Sequence, residues 1–497
     1  MQQIDLDRNA CYRALQTRDA RFDGRFYVAV LSTGIYCRPI CPAGPPKIEN
    51  CVFLPSAAAA YQMGFRPCLR CRPEVAPGTA GWRGSANTVS RALQLIVEGA
   101  LDESGVDDLA DRLGVGSRHL RRLFTRYVGA SPVSVAQTHR ILFAKKLIDE
   151  TSLSMTQIAL AAGFGSIRRF NDVFQQTYGR APSTLRRSTS AAKPAAGVTL
   201  KLPFSPPLDW RAMIDFLRLR AIPGVEHVEP ERYRRTFAFD EARGVVEVRP
   251  ATGANHLLAT IRTSEITVLA TVVSRLRRLF DLDADIAAID THLACDPLLA
   301  DRVRERPGLR VPGAWDGFEL AVRAILGQQI SVPAATTFAG RLAAAHGEPL
   351  EIEGSAALVG PFDGPHLLFP TPTAIAEADL TGIGLTRGRA ATLRSLGAAM
   401  VADRNLLRAY ETLDETLDKL DGLPGVGPWT AQYIAMRALR EPDAFPASDL
   451  GLLRAMETTA GRPSPAELSR IAEAWRPWRA YAAVRLWAQG PAQTAAA

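Results

Sequence analysis

Five of the seven cysteines fall within residues 37–71, and four of them are paired as Cys37-x3-Cys41 and Cys68-x2-Cys71, with 26 residues between the pairs. Two close pairs joined by a loop suit one tetrahedral Zn2+ held by four thiolates, which ties the surrounding stretch into a small metal-bound fold. The same spacing is met by a zinc ribbon that only holds a fold together. Cys11 and Cys51 lie outside the ligand spacing and read as small buried apolar residues.

The remaining composition sets the frame. At 497 residues the chain is too long for a single compact fold. It has no uncharged apolar run approaching the roughly 18 to 20 residues that a membrane-spanning helix needs. The N-terminus, Met1-Gln2-Gln3-Ile4-Asp5-Leu6-Asp7, lacks the basic-then-apolar order of a secretory signal, so a reducing cytoplasm is expected, with the cysteines as thiols or metal ligands. Residues 1–190 carry 25 Lys+Arg against 15 Asp+Glu, and residues 191–497 carry 34 against 36. The basic excess is confined to the first part, where it is either a polyanion footprint or a solvated surface. Pro73 to Gly84 and Ser188 to Gly197 read as linkers. Between them the pattern is helical. Runs such as Gly244–Val248 and His256–Ile261 are β-like, and helices dominate again from about 270.

Around the cysteines the chain reads Thr33-Gly34-Ile35-Tyr36-Cys37-Arg38-Pro39-Ile40-Cys41 and Gly64-Phe65-Arg66-Pro67-Cys68-Leu69-Arg70-Cys71-Arg72-Pro73. Over about residues 5–75 this resembles the N-terminal zinc domain of the Ada family. The resemblance implies that Cys37 accepts a methyl group from a DNA methylphosphotriester, with Cys41, Cys68 and Cys71 as the other ligands to one zinc that is both structural and catalytic. Zinc keeps a thiol ionised near neutral pH, so a nucleophile is ready without a base. Four thiolates around Zn2+ carry a formal −2, and methylation of one leaves −1. Repulsion from phosphate then falls, and Arg38, Arg66, Arg70 and Arg72 are expected on DNA. The loop Ala43-Gly44-Pro45-Pro46 departs from the family in carrying few basic residues.

Residues 107–124 read as a helix, a turn at Gly114-Val115-Gly116 and a second helix that Ser117 can cap. A second copy runs from Met155 through Gly163-Phe164-Gly165 to Phe170, and a helix across 132–150 joins the two. The segment ends in Tyr178-Gly179-Arg180-Ala181-Pro182-Ser183 and resembles the DNA-binding domain of AraC-type regulators. That resemblance implies recognition helices near 117–126 and 166–177 in successive major grooves, with Arg118, Arg121, Arg122, Arg168 and Arg169 divided between bases and phosphates.

Leu423-Pro424-Gly425-Val426-Gly427-Pro428-Trp429-Thr430-Ala431 follows an amphipathic Leu413-x3-Leu417-x2-Leu420 stretch. Gly425 and Gly427 allow a tight turn and close backbone approach, and Pro428 suits a first helical turn whose N–H groups can hold a phosphate. The run resembles a helix-hairpin-helix, which also occurs in DNA-binding proteins without catalysis. With Asp443-Ala444-Phe445-Pro446-Ala447-Ser448-Asp449, Gly317 to Ser331 and Trp475 to Ala482, residues 200–490 resemble 3-methyladenine DNA glycosylase II, the AlkA type. The resemblance implies that Asp449 stabilises positive charge on the deoxyribose and orients water. It also implies a flipped cationic base against Trp429, Tyr433 and Trp487, and Gln328 and Gln329 at the duplex, with Gln329 in the gap where the family often places an apolar wedge. Trp475 and Trp478 read as core, and Asp443 as a loop or capping residue. Strand-cleaving relatives carry a Lys where Trp429 stands, so a monofunctional hydrolase is expected. The four-cysteine iron–sulfur loop of some relatives is missing, and Cys295 lacks the Pro-Cys-His-Arg setting of an O6-alkylguanine acceptor.

The expected architecture is multidomain and mainly α with α+β parts. It comprises a small four-cysteine zinc domain over 1–76, a twin helix-turn-helix domain over 85–187, an α+β subdomain over 200–310 and a helix-hairpin-helix glycosylase domain over 311–490. The partners expected are alkylated and promoter double-stranded DNA and RNA polymerase, in the nucleoid and without a membrane. The rival is a transcription regulator whose glycosylase-like region only binds DNA. A plain zinc-binding structural protein leaves both helix-turn-helix copies unexplained.

Overall fold

The computed structural model describes residues 6–76, 87–102, 104–186, 197–350, 364–407, 412–459 and 461–489. Both expected linkers lie largely outside these residues; at the edge of the first, Pro73–Val75 forms a short 3-10 turn. The chain divides into two compact units. One is Met1–Ser205 with Ala251–Ser274 and Leu282–Ala284, and the other is Pro206–Pro250 with Arg275–Asp281 and Asp285–Ala497. Among the described residues no helix is long and apolar enough to cross a membrane.

The first unit opens with α1 (Arg8–Thr17), β1 (Tyr27–Val30), β2 (Ile35–Cys37), β3 (Cys51–Leu54), α2 (Ala57–Gln62) and β4 (Arg66–Pro67). The four strands form a sheet in the order β3-β1-β2-β4. Strand alternation sorts the core of β1 into two faces. Phe26, Val28 and Val30 pack with Cys11, Ala14, Leu15 and Cys51, and Tyr27 and Ala29 pack with Tyr36 and Ala60. Cys11 and Cys51 are thus the buried apolar residues expected, and burial pushes the Cys11 thiol up to about 11.

Six helices follow: α3 (Asn87–Val97), α4 (Val106–Leu113), α5 (Ser117–Tyr127), α6 (Pro132–Glu150), α7 (Met155–Ala161) and α8 (Ile167–Tyr178). Leu109, Ala110 and Leu113 of α4 share one apolar cluster with Leu120 and Phe124 of α5. Phe164, Phe170, Phe174 and Tyr178 form an aromatic chain with centroid separations of 5.3, 5.5 and 4.6 Å. The caps differ between the copies. Gly116, not Ser117, is the N-cap of α5 and offers no side chain, whereas Ser166 caps α8 through Arg169 N at 3.2 Å.

The α+β stretch supplies β5 (Val198–Pro203), α9 (Trp210–Arg218), β6 (Glu226–Glu229), β7 (Arg232–Phe239), β8 (Ala242–Pro250), β9 (His256–Thr263) and α10 (Leu269–Leu279). In the first unit β5 pairs antiparallel with β9, with Val198 opposite Ile261. In the second, β6, β7 and β8 form an antiparallel meander, with Tyr233 opposite Val248.

The rest of the second unit is helical: α11 (Ile286–Leu293), α12 (Pro297–Glu305), α13 (Gly317–Leu326), α14 (Val332–His346), α15 (Pro372–Glu377), α16 (Arg387–Ala402), α17 (Leu413–Asp421), α18 (Pro428–Arg437), α19 (Leu450–Ala455), α20 (Pro465–Ala472) and α21 (Arg479–Gln489). Trp475 is fully buried, with its indole N–H on Asp296 at 2.8 Å, as a core residue should be. Asp443 is more than a loop cap. It accepts from Arg479 Nε at 2.8 Å and also pairs with Arg476, tying the approach to α19 onto the start of α21.

Candidate metal centre and excision pocket

The four sulfur atoms of Cys37, Cys41, Cys68 and Cys71 lie within 4.8 Å of one another. Strand register brings them together. Tyr36 on β2 is opposite Pro67 on β4, so Cys37 and Cys68, the next residue on each, meet at one sheet end. Cys68 N also donates to Tyr36 O at 3.0 Å. Zn–S bonds of about 2.3 Å in a tetrahedron demand sulfurs roughly 3.8 Å apart, and the Cys41–Cys68 separation is 4.0 Å. Backbone N–H groups of Arg38 and Arg70 point at Cys71 Sγ and Cys68 Sγ at 3.3 and 3.4 Å, a donor pattern that suits thiolates. Hydrogen bonding within the set splits it, lowering the Cys41 thiol to about 7 and Cys68 further while pushing Cys37 and Cys71 up, as expected of four thiols that share protons when no cation is bound. Four thiolates this close repel strongly, so the set fits a dication. Cys37 is the most accessible of the four; the other three are buried.

The basic residues around this centre divide. Arg66 and Arg70 are exposed, as expected for DNA contact. Arg38 and Arg72 are placed otherwise. Arg38 is buried, with Nε on Asp23 Oδ1 at 2.8 Å and Nη1 on Cys71 O at 3.0 Å, so it braces the cysteine loop from inside. Arg72 pairs with Glu74 at 3.1 Å and with Asp149 of α6 at 2.9 Å, and its charge is spent within the protein. On the helix-turn-helix pair, Arg118, Arg121 and Arg122 of α5 and Arg168 and Arg169 of α8 are all exposed.

In the second unit α17 and α18 form the expected hairpin, with Pro428 at the first turn of α18. Gly425 has φ +77°, and a Cβ there would lie 2.3 Å from Thr392 Oγ1. Both the backbone and the space require glycine. A Cβ on Gly427 would meet nothing within 4 Å. Anything Gly427 makes room for is outside the protein.

Asp449 caps α19, accepting Leu452 N on Oδ1 at 3.1 Å. Two indoles converge on the same carboxylate: Trp487 Nε1 donates to Oδ1 at 2.8 Å and Trp429 Nε1 to Oδ2 at 2.9 Å. Trp429, Tyr433 and Arg437 lie at i, i+4 and i+8 along α18 and share one face. Trp429 stacks on Tyr433 at 5.1 Å and 13°, which covers one face of each ring, and Tyr433 meets Trp487 at 6.4 Å and 59°. Arg437 Nη1 donates to the Tyr433 hydroxyl at 2.7 Å. Burial alone raises that phenol, but Arg437 and Arg220 beside it outweigh burial and hold it below its ordinary value.

The two glutamines separate. The Gln328 amide donates to Gly425 O at 2.9 Å and Thr430 Oγ1 at 3.0 Å, pinning the hairpin. Gln329 is exposed with φ +58°, turned outward between α13 and α14.

Four family models match in series. They are the metal-binding domain of Ada over residues 10–74, a helix-turn-helix domain over 109–188, the AlkA N-terminal domain over 199–316 and the HhH-GPD superfamily of base excision DNA repair proteins over 322–479. Over 487 residues the chain is 42% identical to a probable bifunctional transcriptional activator/DNA repair enzyme AlkA of Mycobacterium tuberculosis, covering 97% of this chain and 96% of that one. The chain belongs to the family of bifunctional transcriptional activator/DNA repair enzymes. Its Ada-type, helix-turn-helix and AlkA-type parts follow one another in the expected order. Part of it is 33% identical to DNA-3-methyladenine glycosylase 2 of Escherichia coli over 295 residues, covering 58% of this chain and 95% of that protein. A solved 3-methyladenine DNA-glycosylase from Archaeoglobus fulgidus shares the fold, with a TM-score of 0.50 and 22% identity over 58% of this chain and 96% of the other.

Several residues of this family member's pocket are not evident from the sequence motifs: Arg437 behind Tyr433, Thr392 against Gly425, Arg389, whose Nη2 holds Gln328 O at 2.5 Å, and Gly451 beside Asp449. The i+4 and i+8 spacing from Trp429 could have found Arg437, and a glycine two residues past a candidate carboxylate could have flagged Gly451.

Proposed function

We propose that the chain is a DNA alkylation-response protein with two activities, organised over residues 1–76, 85–187, 200–310 and 311–490. The second half is a monofunctional glycosylase that hydrolyses the N-glycosidic bond of alkylated purines of the 3-methyladenine type. Asp449 carries this reading: a carboxylate held by two indoles beside a glycine hairpin that is shaped for DNA. As the bond to the base lengthens, positive charge grows on the deoxyribose, and the Asp449 carboxylate stabilises it and orients water. An alkylated purine leaves readily because it is already cationic, so selection rests on the aromatic walls Trp429, Tyr433 and Trp487. Trp429 provides no amine for a Schiff base, which supports hydrolysis without strand cleavage.

In the first half, Cys37, Cys41, Cys68 and Cys71 would hold one Zn2+, which supplies the charge that keeps Cys37 ionised. Cys37 Sγ then attacks the methyl carbon of a methylphosphotriester; the S–C bond forms, the C–O bond breaks and the phosphodiester leaves as an anion. Its accessibility relative to the three buried ligands supports Cys37 as the acceptor. Arg66 and Arg70 gain attraction for phosphate once the centre loses a negative charge. The exposed arginines of α5 and α8 support promoter binding, and activation implies contact with RNA polymerase on nucleoid DNA.

The test is release of free methylated purine from methylated duplex DNA by the wild-type chain and by Asp449→Asn. Catalytic release that falls by about 100-fold or more in the variant is the expected outcome. If neither protein releases base while both take up methyl groups on Cys37, the second half is a DNA-binding module and the protein is a regulator.

A further inference from the structure

A carboxylate offers about four lone-pair positions. On Asp449, Oδ1 accepts both Trp487 Nε1 and Leu452 N, and Oδ2 accepts Trp429 Nε1. Asp449 N donates to Pro446 O at 2.8 Å, which fixes the backbone beneath. Three of the four positions are therefore taken, and the remaining one is on Oδ2. The two indoles come from different helices, α18 and α21, so the carboxylate is held from two sides.

Gly451 makes this convergence possible. A Cβ on residue 451 would lie 3.0 Å from Asp449 Oδ1, 3.2 Å from Trp487 Cδ1 and 3.4 Å from Trp487 Nε1, in the middle of the Trp487–Asp449 contact. Residue 451 lies inside α19, where alanine is the better helix former. Helix propensity favours a side chain at this position, and the close Trp487–Asp449 contact opposes one.

We propose that Gly451 and the indole N–H groups of Trp429 and Trp487 form a positioning device that presents Asp449 Oδ2, with its one remaining lone pair, to the reacting sugar. This rests on the reading of Asp449 as the excision carboxylate. The indoles then do more than wall the pocket, because their N–H edges fix the atom that performs the chemistry. A Cβ at 451 makes the Trp487 ring and Oδ1 give way by a few tenths of an ångström, and since a misplacement of about 1 Å at a reacting group costs on the order of 100-fold in rate, a shift of this size costs roughly 3- to 10-fold.

The experiment compares full-length wild type, Gly451→Ala, Trp429→Phe, Trp487→Phe and Asp449→Asn. The measurements are steady-state release of methylated purine from duplex DNA, the thermal midpoint, and the indole N–H resonances of 15N-tryptophan-labelled protein. Gly451→Ala is expected to keep or raise the midpoint while kcat falls about 3- to 10-fold and KM stays within about twofold. Each Phe variant keeps an aromatic face and is expected to lose kcat in the same way. Two indole resonances should shift in Asp449→Asn. If wild type and all three clamp variants release base at one rate while Asp449→Asn is inactive, the positioning role is overturned and the excision reading stands. A rise in KM with kcat unchanged makes the indoles base-stacking walls only and also overturns it. Unshifted indole resonances in Asp449→Asn overturn the contact itself, whether or not Gly451→Ala folds. If wild type releases no base, the excision reading fails and the proposal fails with it.

Discussion

Gly425 and Gly427 are two residues apart and are glycine for opposite reasons. Gly425 needs its left-handed backbone and faces Thr392, whereas Gly427 faces open space. Gly425→Ala should therefore destabilise the second unit by about 1–3 kcal/mol, read as a lower urea midpoint of tryptophan fluorescence. Gly427→Ala should leave that midpoint within about 0.5 kcal/mol. Its cost should instead fall on affinity for duplex DNA, measured by titration at fixed salt. At this scale the sequence is readable where chemistry is local: the cysteine spacing, the hairpin glycines and the carboxylate all lie in short runs. Arg38 and Arg72 were not readable as internal braces, because Asp23 and Asp149 reach them from 15 and 77 positions away. The same holds for Gln328, which finds the hairpin carbonyl 97 residues later.

Among the elements, α6 carries unusual charge for a buried helix. Lys145 and Lys146 are buried and pair with Asp149 and Glu150 one turn on, at 2.5 and 3.0 Å. His139 on the same helix stacks against Phe143 with centroids 6.0 Å apart. Burial, with Arg140 adjacent, holds its imidazole down at about 4. A folded value below the unfolded one means that the unfolded chain binds the extra proton. The stability this neutral histidine contributes is complete above about pH 6.5 and is lost as pH falls toward 4. The loss amounts to at most about 3 kcal/mol. Urea unfolding of wild type between pH 4 and 7 should show this slope, and His139→Gln should flatten it. Helix placement itself was legible, since the 132–150 helix and the helices that the regulator resemblance put near 117–126 and 166–177 occur within a residue or two of those bounds. The first recognition helix starts on Gly116 rather than on a Ser117 cap because α5 takes Ser117 into its own first turn.

For the whole molecule, the two sites draw on separate parts of the chain. Every residue around Asp449, from Gln328 to Trp487, belongs to the second unit, and the four cysteines belong to the first. Removing metal with a chelator should abolish methyl uptake on Cys37 and leave purine release within about twofold, because the four cysteines and the residues around Asp449 belong to different units. Both activities can be assayed on one sample. The basic excess of residues 1–190 over the rest also predicts that promoter binding falls more steeply with salt than base excision does. The order of parts was legible from composition breaks and motifs. The pairing of β5 with β9 was not, because it joins Val198 to Ile261, residues far apart along the chain.

The indoles on Asp449 carry an evolutionary cost. In a pocket whose walls are independent of its chemistry, a lineage can widen the range of lesions accepted by trimming an aromatic ring and keep its turnover. Here the rings at 429 and 487 are hydrogen-bonded to the Asp449 carboxylate, so, under the proposed excision role of Asp449, a change that admits a bulkier base also loosens the group that acts on it. On that reading substrate range and speed are inherited together, and new specificities should arise at Tyr433 or the backing arginines before they arise at either tryptophan.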